Sequence, residues 1–256
     1  MSIDINCDLG ESFGSYKMGN DAAMMEWITS ANIACGFHAG DHTVMRRTVR
    51  LCIDSGVAIG AHPGYPDIQG FGRRSISFTP EELYSMVLYQ VGALKAITES
   101  EGGALRHVKP HGAMYNDAAG NIEKAMAIAE AVRKSGDNLI FLCLHGSAME
   151  EAARKTGILS ASEAFADRQY DSAGNLVPRT VKDSVINLPA VCAARTLTMV
   201  TEKRIISIDG KFVAINPDSI CVHGDTPGAE GIARTIRKTL EEHSVPVKPL
   251  SGRRMS

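Results

Sequence analysis

The chain has little of what most partner classes require. It carries one tryptophan and only 5% aromatic residues, which leaves few flat surfaces for stacking bases. Neither charge dominates: 27 lysine and arginine residues stand against 29 aspartate and glutamate, and no basic stripe runs along the sequence. A nucleic acid or an anionic membrane is therefore excluded as principal partner. No run of about 18 apolar residues is present, which excludes a spanning helix. The N-terminus enters a strand-like segment without a basic region and apolar signal, so a soluble, cytoplasmic protein is expected. There is no G-x-x-x-x-G-K-[ST] loop and no G-x-G-x-x-G after a strand, so neither familiar phosphate cradle is encoded. The six cysteines, Cys7, Cys35, Cys52, Cys143, Cys192 and Cys221, contain no C-x-x-C pair. They read as buried reduced thiols rather than disulfides or a zinc site. Cys35 and Cys221, each close to a histidine, are the candidates for a catalytic thiol.

What the chain does have is histidine in a repeated setting. Seven of its eight histidines stand at or just after short apolar runs. The runs are 3–9, 31–37, 57–61, 105–108, 138–144, 158–165 and 219–222. They deliver Asp8, His38, His62, Lys109 with His111, His145, Asp167 with Arg168, and His223 with Asp225. Between them lie helical periodicities over 21–29, 43–55, 80–101, 118–135, 148–156, 189–201 and 228–243. Parallel strands that each lead into a helix place the groups at their C-terminal ends around one mouth. The expected fold is α/β: a seven-stranded, irregular (β/α) TIM-like barrel, one strand short of eight. It fills 1–256 as a single domain, with 244–256 peripheral and 251–256 frayed. Residues 204–208 and 211–215, joined by Asp209-Gly210, read as a small β-hairpin insertion with a two-residue turn. The stretch 62–79, rich in Gly, Pro and Arg, is long enough without regular structure to mark a functional loop.

Four clusters carry the chemistry. Asp8-Leu9-Gly10-Glu11 sets two carboxylates around a glycine turn, suited either to a divided acid and base or to capping the next turn. Asn32 through His42 holds His38 and Asp41; Asp41 can orient a histidine or cap the helix at Thr43, while His42 is a further ligand or a solvated residue. In 60–74, His62 precedes Arg73 and Arg74, whose planar forks suit carboxylate or phosphate unless they are plain surface charges. The fourth gathers Lys109, His111, Tyr115 and Asn116 with Asp167, Arg168, Arg179, Cys221, His223 and Asp225. A lysine between an apolar strand and a Pro-His turn is a candidate proton donor or oxyanion holder. His111 and His223 are candidate acid/base groups.

The blocks Asp8-Leu9-Gly10-Glu11, Asn32 to Asp41, Ala61 to Asp67, Lys109-Pro110-His111-Gly112, Glu163 to Arg168 and Val222-His223-Gly224-Asp225 occur in fixed order. Together they resemble the LamB/YcsF family, over nearly the whole chain. That resemblance implies an incomplete barrel of the glycoside hydrolase/deacetylase type. It also implies work within bacterial 5-oxoprolinase, opening the lactam of 5-oxo-L-proline to L-glutamate with ATP as cosubstrate and alongside partner subunits B and C. On this reading Asp8 or a histidine activates water, with Glu11, His38, Asp41, His62 and Asp167 in the same catalytic set. Lys109, Arg73 and Arg168 hold phosphate and carboxylate oxygens, Asn32, Arg74, Tyr115, Arg179 and Asp225 complete the binding set, and His111 or His223 protonates the ring nitrogen. Two other classes stay open. One is an ATP-independent deacetylase or amidohydrolase holding a divalent cation on Asp8, His38 and His62, with His42 as a further ligand. The other is a non-catalytic scaffold. A homo-oligomer is compatible with any of them.

Overall fold

The computed structural model describes residues 2–254. Its first strand shows why the chain closes on itself. Residues 3–9 alternate Ile, Asp, Ile, Asn, Cys, Asp, Leu, and a strand turns successive side chains to opposite faces. In β1 (Asp4–Leu9) every residue is buried; Ile5, Cys7 and Leu9 join the hydrophobic core, while Asp4, Asn6 and Asp8 bond to polar side chains of other strands. A strand with one apolar and one polar buried face fits a barrel whose helices cover the outside and whose lumen is filled by side chains.

The remaining strands follow that plan. β2 (Ser30–Ala34), β3 (Ala58–His62), β4 (Leu105–Val108), β5 (Ile140–Leu144) and β6 (Leu159–Phe165) pair in parallel, each with its predecessor. β7 (Arg204–Ile206) and β8 (Phe212–Ala214) form a separate antiparallel hairpin. β9 (Ser219–His223) then pairs in parallel with both β6 and β1, closing a seven-stranded α/β barrel. The expected fold class and hairpin insertion are what form. The helices are α1 (Asp21–Met24), α2 (His42–Ser55), α3 (Pro80–Ser100), α4 (Gly112–Gly120), α5 (Ile122–Ser135), α6 (Ala148–Thr156), α7 (Pro189–Thr201) and α8 (Ala229–Glu242). Their ends obey local chemistry. Thr79 and Glu82 make a reciprocal capping box ahead of α3, with Pro80 at its first position.

Three details depart from the sequence reading. The helix expected over 118–135 is two helices: Asn121 is extended, with φ −138°, and its side chain accepts from the Lys124 N–H at 3.0 Å. That cap starts α5 afresh and leaves 112–120 as α4, close to the mouth. The hairpin turn is longer than Asp209-Gly210. The Ser207 N–H donates to the Lys211 carbonyl at 2.8 Å, so 208–210 form the loop, with Gly210 at φ +81°. Finally, Arg253–Arg254, expected to fray, forms β10 and pairs antiparallel with Leu159 and Ser160. β9 joins β6 only from Glu163 onward, so β10 covers the part of that edge left open by the missing eighth strand. Met255 and Ser256 lie outside the described residues.

Candidate active site

The lumen is polar along its length. Asn32 Nδ2 donates to Asn6 Oδ1 at 2.7 Å and to Asp8 Oδ1 at 2.8 Å, while its own Oδ1 accepts from His107 Nε2 at 2.7 Å. Room for that imidazole comes from Gly60: a Cβ there would lie 2.0 Å from His107 Nε2. Burial drives His107 down to about 3, so it is a neutral ring donating through Nε2.

Above this layer lies Lys109. Its ammonium is 2.8 Å from Asp8 Oδ1, 3.1 Å from Glu163 Oε1, 3.3 Å from Asn6 Oδ1 and 3.0 Å from Cys221 Sγ. Burial alone would lower the lysine's pKa, but Asp8, Cys221 and Glu163 carry it well above its ordinary value. The Cys221 thiol is itself pushed well up by burial and is therefore neutral, which leaves Asp8 and Glu163 as the true counter-charges. Lys109 stays an ammonium, so of its two expected roles the holding of negative oxygens fits and proton donation does not. Asp8 responds in kind. Burial would raise it, yet His62 and Lys109, then His223, hold it well below the usual carboxylate range. A carboxylate held so acidic is a poor base near neutral pH, and of the two expected activators of water, Asp8 or a histidine, it is the weaker.

His223 has the geometry a base needs. Its Nδ1 is 2.9 Å from both oxygens of the fully buried Asp167. A carboxylate held low by His223, despite burial, only accepts, so the proton sits on Nδ1. Nε2 makes no bond to the protein among the described residues, in a ring that lines a cavity of ≈ 680 Å³. Asp8, His62, Lys109, His111, Tyr115, Arg73, Arg168 and Arg179 line the same cavity. Burial and the neighbouring Arg179 lower Arg168 to about 10, and its buried Nε has no partner. Two crowded guanidiniums suit the oxygens of an anion. Arg73 reaches Asp225 across the rim and lies 4.8 Å over the Phe71 ring. Tyr115 donates to Glu163 Oε2 at 2.8 Å, fixing the carboxylate that faces Lys109.

A second group adjoins the cavity. Glu11, His38, His62 and His111 are buried and present ligating atoms within 4.8 Å of one another. Burial drives Glu11 upward and drives His38 and His111 down. Of the three residues expected to hold a metal, His38 and His62 lie in this group with Glu11 and His111, whereas Asp8 is paired with Lys109. Asp8, Cys221 and His223 also approach one another, but the Lys109 ammonium already occupies the space between the first two.

Other expectations are not brought in. Asp41 caps α2, accepting from the Thr43 and Val44 N–H groups, and ties down the Gly14 N–H. His42, on the first turn of α2, is exposed. Arg74 is bound to Asp67 and its side chain is mostly exposed, outside the cavity. Both candidate catalytic thiols, Cys35 and Cys221, are buried with raised pKa values. A second groove of ≈ 630 Å³ on the flank of α2 holds none of the clustered histidines. The residues that sequence reading left out are Asn6, His107 and Glu163. The signal for Asn6 was its alternation with Ile5 and Cys7, in step with Asp4 and Asp8.

The profile described as "LamB/YcsF family" matches residues 3–255. The 5-oxoprolinase A-chain protein of Pyrococcus abyssi is 50% identical, over 98% of this chain and 98% of that protein. Its namesake from Heliobacterium modesticaldum is 48% identical, over 97% and 98%. Among solved structures, the "Lactam Utilization Protein" of Thermus thermophilus superposes with a TM-score of 0.92 at 44% identity, covering 98% of this chain and all of that one. A family 4 carbohydrate esterase from Streptomyces lividans shares the fold alone, with a TM-score of 0.51 at 10% identity over 100% of this chain and 97% of that one.

Proposed function

The chain belongs to the LamB/YcsF family, and from that premise we propose that it is a hydrolase that opens the cyclic amide of 5-oxo-L-proline, as the A-type component of a 5-oxoprolinase. A five-membered lactam is a resonance-stabilised amide and its carbonyl is a poor electrophile. Transfer of the ATP γ-phosphoryl to the carbonyl oxygen, releasing ADP, converts it into an activated carbon. The cavity is larger than one such ring needs, and Arg168 and Arg179, with Arg73 at the rim, suit the phosphoryl and carboxylate oxygens.

The observation that carries the reading is the His223–Asp167 pair, with Nε2 free of protein partners among the described residues, in a ring lining the cavity that Lys109 also lines. His223 takes a proton from water as the oxygen adds to the activated carbon. The negative charge that gathers on the oxygens is met by Lys109. The C–N bond then breaks with its electron pair on nitrogen, and His223 returns the proton there. A second water releases phosphate and leaves glutamate. His111 is less suited to that proton, since Nε2 bonds the Phe71 carbonyl and Nδ1 faces His62. With no P-loop here, the B and C subunits supply the nucleotide site, and ATP as cosubstrate places the reaction in the cytoplasm.

The test is reconstitution. Mixed with its B and C subunits, this chain should release glutamate from 5-oxo-L-proline only when ATP is present. Glutamate released by this chain alone, without ATP, would overturn the reading in favour of a self-sufficient amidohydrolase.

A further inference from the structure

Glu11 and His38, shut behind the cavity wall formed by His62 and His111, have no part in the lactam chemistry above, yet the four side chains are closely arranged. All are buried, at 6%, 1%, 1% and 4% exposure. The rings pack on bare backbone: a Cβ at Gly64 would lie 2.6 Å from His38 Nδ1, and one at Gly72 would lie 2.7 Å from His38 Cβ and 2.8 Å from His111 Cδ2.

Their proton positions follow from their partners. A carbonyl oxygen only accepts, so His62 Nδ1, 2.6 Å from the Lys109 carbonyl, carries a hydrogen. For the same reason His111 Nε2, 2.8 Å from the Phe71 carbonyl, carries one. The other two nitrogens, His62 Nε2 and His111 Nδ1, face each other at 3.0 Å, and Asp8 Oδ2 lies 3.4 Å from the same His62 nitrogen. Glu11 Oε1 is 3.6 Å from His111 Nδ1 and 3.4 Å from His38 Nε2.

We propose that Glu11, His38, His62 and His111 bind one divalent transition-metal ion of the zinc type. Ligand bonds of about 2.0–2.1 Å in a tetrahedral site set neighbouring donor atoms about 3.4 Å apart, and the separations of 3.0, 3.4 and 3.6 Å bracket that spacing. Backbone carbonyls holding the far N–H of His62 and His111 are the outer partners that metal-bound imidazoles use. Three imidazoles with one carboxylate select zinc or its neighbours over magnesium or calcium, which prefer all-oxygen sets. The His38 and His111 rings are stacked with centroids 3.7 Å apart. The ion would neutralise Glu11 and lock the wall on which His62 meets Asp8. The inference does not depend on the lactam reading.

The test uses the whole chain, untagged and purified without chelator. Elemental analysis should find one zinc-type ion per chain. After stripping, Co²⁺ should titrate to one equivalent with a visible ligand-field spectrum. Glu11→Gln and His111→Ala should each weaken Co²⁺ binding by at least about tenfold, whereas His42→Ala on the exposed turn of α2 should leave it unchanged. Folded protein with no stoichiometric metal and no Co²⁺ spectrum would overturn the site, as would a histidine ¹⁵N spectrum showing a proton shared between His62 and His111 when metal is in excess. None of these readouts uses turnover, so failure of the metal site and failure of the lactam reading are separable.

Discussion

Asp4 and Asp8 stand four residues apart on β1, point into the same lumen and are both shut away from water, yet their acidities move in opposite directions. At the floor, Asp4 accepts from Thr29 Oγ1 at 2.7 Å, Ser30 Oγ at 2.6 Å and the Ser219 hydroxyl. Burial outweighs those three neutral donors and raises it to about 6. At the mouth, Asp8 is met by His62, Lys109 and His223 and falls well below its ordinary value. Hydroxyls satisfy the geometry of a buried carboxylate, but only a cation offsets its charge. The floor network closes on itself: none of its four side chains has an orphaned polar atom, whereas His38, His107 and Arg168 each retain one around the upper lumen and mouth. The floor therefore holds the barrel together, and the mouth keeps bonding capacity for something else.

The largest effect is expected where the contrast is abolished. Lys109→Met leaves Asp8 and Glu163 buried without the ammonium that both approach within 3.1 Å. Removing one partner from a buried charge pair costs about 3–5 kcal/mol, so urea unfolding at pH 7 should show a loss of that order. In the variant that remains folded, the Asp8 carboxyl carbon should titrate upward, toward the behaviour of Asp4. Glutamate release by the reconstituted complex should fall by at least about a thousandfold, since the charge that meets the developing oxyanion is gone. An unchanged Asp8 titration would show that something other than Lys109 sets the difference between the two aspartates.

A smaller loss is expected at the other charged pair of the mouth. His223→Gln removes the group that moves the proton and should lower kcat by about 10²–10⁴-fold with little change in KM. Asp167→Asn keeps the imidazole but removes the carboxylate that fixes Nδ1–H, 2.9 Å away, so its effect should be of the same kind and less deep. If Asp167→Asn raised KM and spared kcat, His223 would be a binding residue rather than the proton carrier.

Much of this was legible in the sequence because β/α alternation is written in hydrophobic period. The seven barrel strands could be placed, and so could the polar residues just beyond each, since a strand end in a parallel barrel has one address. Less was legible inside the strands. Asn6, His107 and Glu163 sit where apolar side chains are the ordinary expectation, and only their parity with Asp8, Lys109 and Asp167 respectively marks them as facing the lumen. Roles within the mouth were not legible at all. Asp8 and Asp167 are both aspartates at strand ends, and what separates a lysine-bound carboxylate from a histidine-orienting one is a partner about a hundred residues away for Asp8 and 56 for Asp167. Asp41 and Arg74 misled for the opposite reason: Asp41 is spent on the first turn of α2 and on the Gly14 N–H, and Arg74 on Asp67.

The floor can be tested by the way its stability depends on pH. Asp4 is raised to about 6 in the fold from an ordinary 3.8, so the folded state binds its proton more tightly than the unfolded chain. Its contribution is fully present below about pH 4 and is lost as pH rises through about 6. A shift of that size corresponds to about 3 kcal/mol. Asp4→Asn keeps an oxygen for Thr29 and Ser30 and has no proton to lose, and whatever it forfeits at the Ser219 hydroxyl does not vary with pH. The stability of the variant relative to the natural protein should therefore improve by up to about 3 kcal/mol between pH 4 and pH 8, read as a difference in urea unfolding at each pH. A pH-independent difference would mean that Asp4 is ionised as readily in the lumen as in water, and that three hydroxyls suffice to hold a buried negative charge.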